Sequence, residues 1–144
     1  MDQFTVLNNR YSNIVDIKEY NNYGNLYILI QNLDVKLLKH EKEQFIQYVY
    51  LSCLKCLEIS KKYNNTTYSV HVYLDNVTKK NFSLNLFKRL NTVLNNCTDL
   101  DDKLNTCYVY NAGSVTIGLF KIIRPFIDPD TRKKILFVNT NTNT

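Results

Sequence analysis

The feature that most constrains this chain is an alternation of two hydrophobic periods. Four short apolar runs, at residues 26–30 (LYILI), 68–74 (YSVHVYL), 107–110 (CYVY) and 134–138 (KILFV), are separated by stretches long enough to hold helices. The runs are continuous rather than alternating, which suits strands covered on both faces. Between the first two, Phe45, Val49, Cys53, Cys56 and Leu57 recur at i, i+4, i+8, i+11 and i+12, a helical stripe, and Glu41, Lys42, Glu43 and Lys55 fall off it. A second stripe runs through Phe87, Leu90, Val93, Leu94 and Cys97 within residues 79–97. A third helix-length segment covers 115–127, with Ser114 placed to cap its N-terminus. The order β-α-β-α-β-α-β predicts an α/β fold, a mostly parallel sheet flanked by helices and joined by right-handed crossovers. Residues 1–25 show no clear period and read as an N-terminal segment. The domain proper then spans 26–138, and 139–144 form a low-complexity Asn/Thr tail.

At 144 residues the chain holds one domain, and 44% hydrophobic against 22% charged residues makes it a folded one. A parallel sheet invites a nucleotide-binding reading, but the chain has only three glycines and none directly follows the first run, where Gln31, Asn32, Leu33, Asp34 and Val35 stand. No phosphate-loop, nucleophile-elbow or zinc-protease motif occurs. The acidic stretch 99–102 lacks the glycine and terminal glutamate of a calcium loop. No enzyme activity and no cofactor are therefore expected. Cys53 and Cys56 lie one turn apart on the first stripe and read as small core positions. Cys97, Cys107, His40 and His71 have no zinc spacing, so no metal is expected. A net charge of +5 is modest. Lys79, Lys80, Lys88 and Arg89 share one predicted helix with a core-facing stripe, and no nucleic-acid partner is expected. With no secretory signal and no apolar span near 20 residues, a cytoplasmic location is expected, with peripheral membrane contact.

The unusual part is residues 114–138. Ile117, Leu119, Phe120, Ile122, Ile123, Phe126 and Ile127 leave hardly any polar face, and Lys121 and Arg124 are the only charges before Asp128. A helix apolar all round is either sandwiched in a core or turned toward something apolar other than protein. Pro125 kinks or ends it, and Asp128, Pro129 and Asp130 read as a turn. Lys121, Arg124, Arg132, Lys133 and Lys134 stand beside this apolar surface, a combination that docks on anionic lipid at about 1 kcal/mol per charge.

Residues 119–135 (LFKIIRPFIDPDTRKKI) resemble the signature of the CRAL-TRIO domain, a lipid-binding module. Tyr108, Val109, Tyr110, Asn111 and Ala112 resemble the strand and turn before that signature, with Gly113 where the family usually has proline, and residues 70–75 resemble the family strand that ends in Asp. The resemblance implies a pocket between the sheet and a mobile gate helix over 117–127, carrying Ile117, Leu119, Phe120, Ile123, Phe126 and Ile127. It further implies a lipid or other hydrophobic small molecule as partner, with Lys121, Arg124, Arg132 and Lys133 docking the gate on a membrane. It places Asp102 and Lys134 where phosphatidylinositol-binding members contact the headgroup, although Asp is one methylene shorter than the family's Glu. The family's N-terminal helices and its Phe-Gly-Gly element have no counterpart in these residues, so a smaller pocket is expected. The alternative is the same fold serving as a protein-interaction module without a pocket.

Overall fold

In a computed structural model, residues 2–139 are described. The elements run α1 (Gln3–Tyr11), β1 (Val15–Tyr20), β2 (Tyr23–Leu29), α2 (Lys42–Lys61), β3 (Tyr68–Tyr73), α3 (Leu84–Asn95), β4 (Leu104–Tyr110), α4 (Ser114–Ile123), α5 (Pro129–Lys133) and β5 (Ile135–Val138). The five strands form one sheet in sequential order, β1-β2-β3-β4-β5. β1 is antiparallel to β2, and every later neighbour is parallel. The mostly parallel α/β sheet read from the sequence is the fold observed.

The structure adds α1 and β1 to that reading. β1 alternates Val15 and Ile17 on one face with Asp16 and Lys18 on the other, as an edge strand with one wet side does. Asn21 and Asn22 join it to β2, both at positive φ (54° and 69°), the conformation a tight hairpin turn needs. Asparagine accepts that backbone without glycine, so the turn carries no glycine signal.

Three expectations about local structure are corrected. The helix expected over 115–127 ends at Ile123 and passes into a 3-10 turn, Arg124–Phe126, because Pro125 has no N–H to continue the ladder. Ser114 is the first helical residue rather than the cap. Gly113 holds the cap position, and the Thr116 hydroxyl donates to its carbonyl at 2.9 Å. The Asp128 turn is instead the start of α5: its carboxylate accepts from Thr131 N at 3.0 Å and from the Thr131 hydroxyl at 2.6 Å, which lowers its pKa. Apart from Asn139, the Asn/Thr tail lies outside the described residues.

Sequential strand order with right-handed crossovers puts the connecting helices on one face of the sheet. There the core forms between α1, α2 and the first three strands. The Tyr48 hydroxyl donates to Val15 O at 2.7 Å, Tyr11 meets the Phe45 ring edge-on at 5.5 Å, and Leu26, Cys53 and Cys56 are sealed beneath. Burial pushes the Cys53 thiol up to about 12 and raises that of Cys56 as well, so both act as small apolar groups, as read from the sequence. Gly24 presses on α2 so closely that a Cβ there would collide with the Cys56 carbonyl, while its N–H donates to Ser60 Oγ at 2.8 Å.

Strand register fixes which side chains share a face. Val15, Ile28, Val72, Val109 and Phe137 form one row on the helix-bearing side. Tyr27, His71, Tyr108 and Leu136 form the adjacent row on the opposite side.

Candidate functional site

The buried core stops short of the sheet's second half. Val72, Val109, Ile135 and Phe137, with Leu119, Phe120 and Ile123 of α4, lie outside the cluster that holds Val15, Leu26 and Tyr48. Phe137 sits on the helix-bearing face, in register with fully buried Val15, yet it is 48% exposed. α4 reaches it through Phe120, whose ring stands edge-on to Phe137 at 5.2 Å.

Burial along this segment has a helical period. Thr116, Leu119, Phe120, Ile123 and Ile127 are buried or half-buried and form the inner stripe, whereas Ile117 and Ile122 are 47% and 51% exposed on the outer side. Of the two alternatives for an all-apolar helix, sandwiched or turned outward, the structure takes the second. Residues after α4 are anchored to α3: Asn91 Nδ2 donates to Phe126 O at 2.8 Å, and the Lys88 ammonium lies 4.3 Å from the centre of the Phe126 ring. The segment is thus held firmly at one end and rests on a largely apolar floor over the rest.

Lys121, Arg124 and Lys133 are exposed, and Arg132 is half-buried with its Nε shielded and without a partner. Among the described residues none of these four, nor Lys134, joins an ion pair. These charges lie in the same segment as the exposed Ile117 and Ile122. Lys134 caps the end of α5, and its carbonyl accepts from Cys107 N at 2.9 Å. Asp102 stands exposed at positive φ (55°) in the turn entering β4. Both residues lie at the edge where the parallel strands begin, and no ion pair links them among the described residues.

Two open depressions, of about 550 and 610 Å³, lie elsewhere. One runs along α3 past Asn85 and Lys88, the other between α1, β1 and α2 past Phe4 and Ile17. Neither is bounded by α4.

Sequence reasoning missed the other face of the sheet. There Tyr27, His71 and Tyr108 stack at 4.6 and 5.0 Å between ring centres, and Tyr73 and Tyr110 at 4.5 Å. The rings cover one another's faces, so they form a closed ladder rather than a platform on which a base could stack. Asn25 Nδ2 donates to Tyr23 O at 3.1 Å, which leaves its Oδ1 to accept from His71 Nε2 at 2.8 Å. His71 Nδ1 and the Tyr110 hydroxyl stand 2.7 Å apart, and in the neutral imidazole that burial favours Nδ1 accepts from that hydroxyl. Burial lowers the His71 pKa and pushes the Tyr110 hydroxyl up to about 12. A signal was present, since Tyr and His fall at alternate positions in YSVHVYL and again at Tyr108 and Tyr110, but only register shows that they meet.

Among the described residues no helix is long and apolar enough to cross a membrane. A search among curated proteins found no match. Among solved structures the chain is similar to that titled "Crystal structure of Sfh5", with a TM-score of 0.69 and 19% identity over 93% of this chain and 51% of the other. The chain thus spans about half the length of that structure, and at this identity the likeness shows the fold. The model of the CRAL/TRIO domain matches residues 10–144. With nearly its whole length covered by that model, the chain belongs to the CRAL/TRIO domain family, which is known for binding lipophilic ligands.

Proposed function

We propose that this chain binds one lipid or other hydrophobic small molecule between α4 and the β4–β5 half of the sheet, and exchanges it at an anionic membrane surface without a chemical step. The observation that carries this reading is the exposure of Phe137 under α4, together with that of Ile117 and Ile122 on its outer side. A helix wet on one side and thinly packed on the other gains little from closing, because burial stabilises by about 25 cal/mol per Å² of apolar surface. A ligand chain in the cleft, or a membrane against the outer side, supplies the missing burial. Lys121, Arg124, Arg132 and Lys133 attract the anionic surface, and Asp102 and Lys134, at the strand-start edge, are the headgroup contacts of this reading. The molecule then works in the cytoplasm as a peripheral membrane visitor.

Native mass spectrometry after mild extraction, paired with sedimentation on phosphatidylserine-containing vesicles, tests the proposal. A lipid-sized adduct and salt-sensitive sedimentation are expected. Bare protein that stays in the supernatant contradicts it. The competing reading, a protein-interaction module of the same fold, draws support from Phe120 resting directly on Phe137, which fills that part of the cleft. Phe120→Asp separates the two. A gate variant stays folded and loses its adduct, whereas a permanently packed helix unfolds the domain.

A further inference from the structure

We propose that the outer edge of β5 binds an extended segment of a partner protein as a sixth strand, antiparallel to β5, apolar in its middle and acidic at its carboxyl-terminal end. In parallel pairing, alternate residues of a strand turn their backbone groups toward the neighbour. Cys107 N donates to Lys134 O and Asn111 N to Val138 O, while Cys107 and Val109 stand opposite Ile135 and Phe137. Lys134, Leu136 and Val138 therefore face β4, and the N–H and C=O groups of Ile135 and Phe137 point away from the sheet. Among the described residues no backbone hydrogen bond reaches those four groups. The side chains beside them are apolar on both faces: Phe137, 48% exposed, on the helix-bearing side and Leu136, 52% exposed, on the other.

Natural sheets guard such an edge with charge, proline or a bulge. β1, the opposite edge, is guarded: Asp16, Lys18 and Glu19 are exposed along it, and Asp16 Oδ1 accepts from Ile17 N at 2.9 Å. Ile135–Val138 holds no charge and no proline, and its pairing with β4 has no register shift. Charge selects the occupant. Arg132, Lys133 and Lys134 lead into the strand and join no ion pair among the described residues. A second copy of this chain would bring a further net charge of +5 and no acid within residues 131–139, whereas an acidic segment complements the three cations. Antiparallel pairing, the stronger ladder, sets the carboxyl-terminal end of the segment beside Lys134. Ile135 and Phe137 then each exchange two hydrogen bonds with it, and its alternate side chains extend the apolar face. The proposal does not depend on the lipid-binding reading.

The test titrates the full chain with the capped peptide Thr-Val-Thr-Val-Glu-Glu and reads amide exchange residue by residue by NMR. Amides of Ile135 and Phe137 should slow by about tenfold or more at saturation, and those of Leu136 and Val138, already in the ladder, should change less. The same peptide ending in Lys-Lys should bind about tenfold more weakly, with the gap closing as salt rises. N-methylation of the first Val removes the donor to Phe137 O and should abolish the protection with the protein unaltered. Phe137→Pro removes the matching N–H, which faces away from β4, and should do the same. Protection that survives N-methylation, or equal binding of the acidic and basic peptides, overturns the proposal. It is also overturned if both amides become protected in the protein alone as its concentration rises, since a second copy then holds the edge, or if phosphatidylserine vesicles protect them and the peptide does not.

Discussion

Val15 and Phe137 occupy the same register row on the same face of one sheet, at its two edges, yet Val15 is fully buried and Phe137 is 48% exposed. On the Val15 side, α2 is pinned by a hydroxyl-to-carbonyl bond from Tyr48, by Gly24 against the Cys56 backbone and by interleaved aromatic rings. On the Phe137 side, α4 touches the floor through Phe120 and is tied down beyond its C-terminal end by Asn91 and Lys88. Parallel pairing runs from one half into the other, with one register shift between Tyr68 and Val70 where β3 meets β4, so the contrast lies mainly in helix packing. Buried contacts are concentrated in the first half, and the proposed function has the second half open at low cost. The proposed carrier reading needs such a division, since a gate as firmly packed as α2 could not move without unfolding the rest.

The sharpest way to break the comparison is a matched pair of truncations. Leu26→Ala, in the closed half, should cost about 2–5 kcal/mol in urea unfolding, whereas Ile122→Ala, on the outer side of α4, should stay within about 0.5 kcal/mol. Comparable losses at both sites would mean that the halves are equally packed. Next in size, Phe120→Asp should abolish the lipid adduct in native mass spectrometry while the cooperative unfolding transition persists. If unfolding is lost along with the adduct, α4 belongs to the core.

Charge refines the outer side of the contrast. Lys121→Ala combined with Arg124→Ala should weaken binding to anionic vesicles by about 2 kcal/mol, with a reduced dependence on salt. The same change at Lys55 and Lys62, on the closed half, should leave vesicle binding as it was. The smallest effect concerns pH. Burial holds the His71 pKa below its ordinary 6.5, so the unfolded chain takes up the proton first as pH falls. Its contribution is therefore complete above about pH 6.5 and lost as pH drops through the lowered folded value. His71→Leu should flatten that part of the stability profile, and a profile unchanged by the substitution would show that the ladder does not sense protons.

How much of this was legible depended on where the information resides. Element order is written in local periodicity, and LYILI, YSVHVYL, CYVY and KILFV announce strands without any tertiary context. β1 escaped because VDIKEY is half polar, as a strand with one wet face must be, and because Asn21-Asn22 makes its turn without glycine. α1 escaped although Phe4, Leu7 and Tyr11 sit at i, i+3 and i+7, since three positions in nine residues make a weak stripe. The end of α4 was overrun because an apolar run continues through Pro125, whereas the ladder of hydrogen bonds does not. At the site, all-round apolarity in 117–127 announced something unusual, but composition alone could not say whether the outer side met protein or water. The Tyr27–His71–Tyr108 ladder draws on three separate strands and appears only once register is known.

Amide hydrogen exchange resolved along the chain bears most directly on the division between a fixed and an opening half. Amides of α4 should exchange at least about a hundredfold faster than those in the middle of α2, and should slow when the protein is loaded with octadecanoic acid. Equal protection in the two helices, untouched by the fatty acid, would contradict the account.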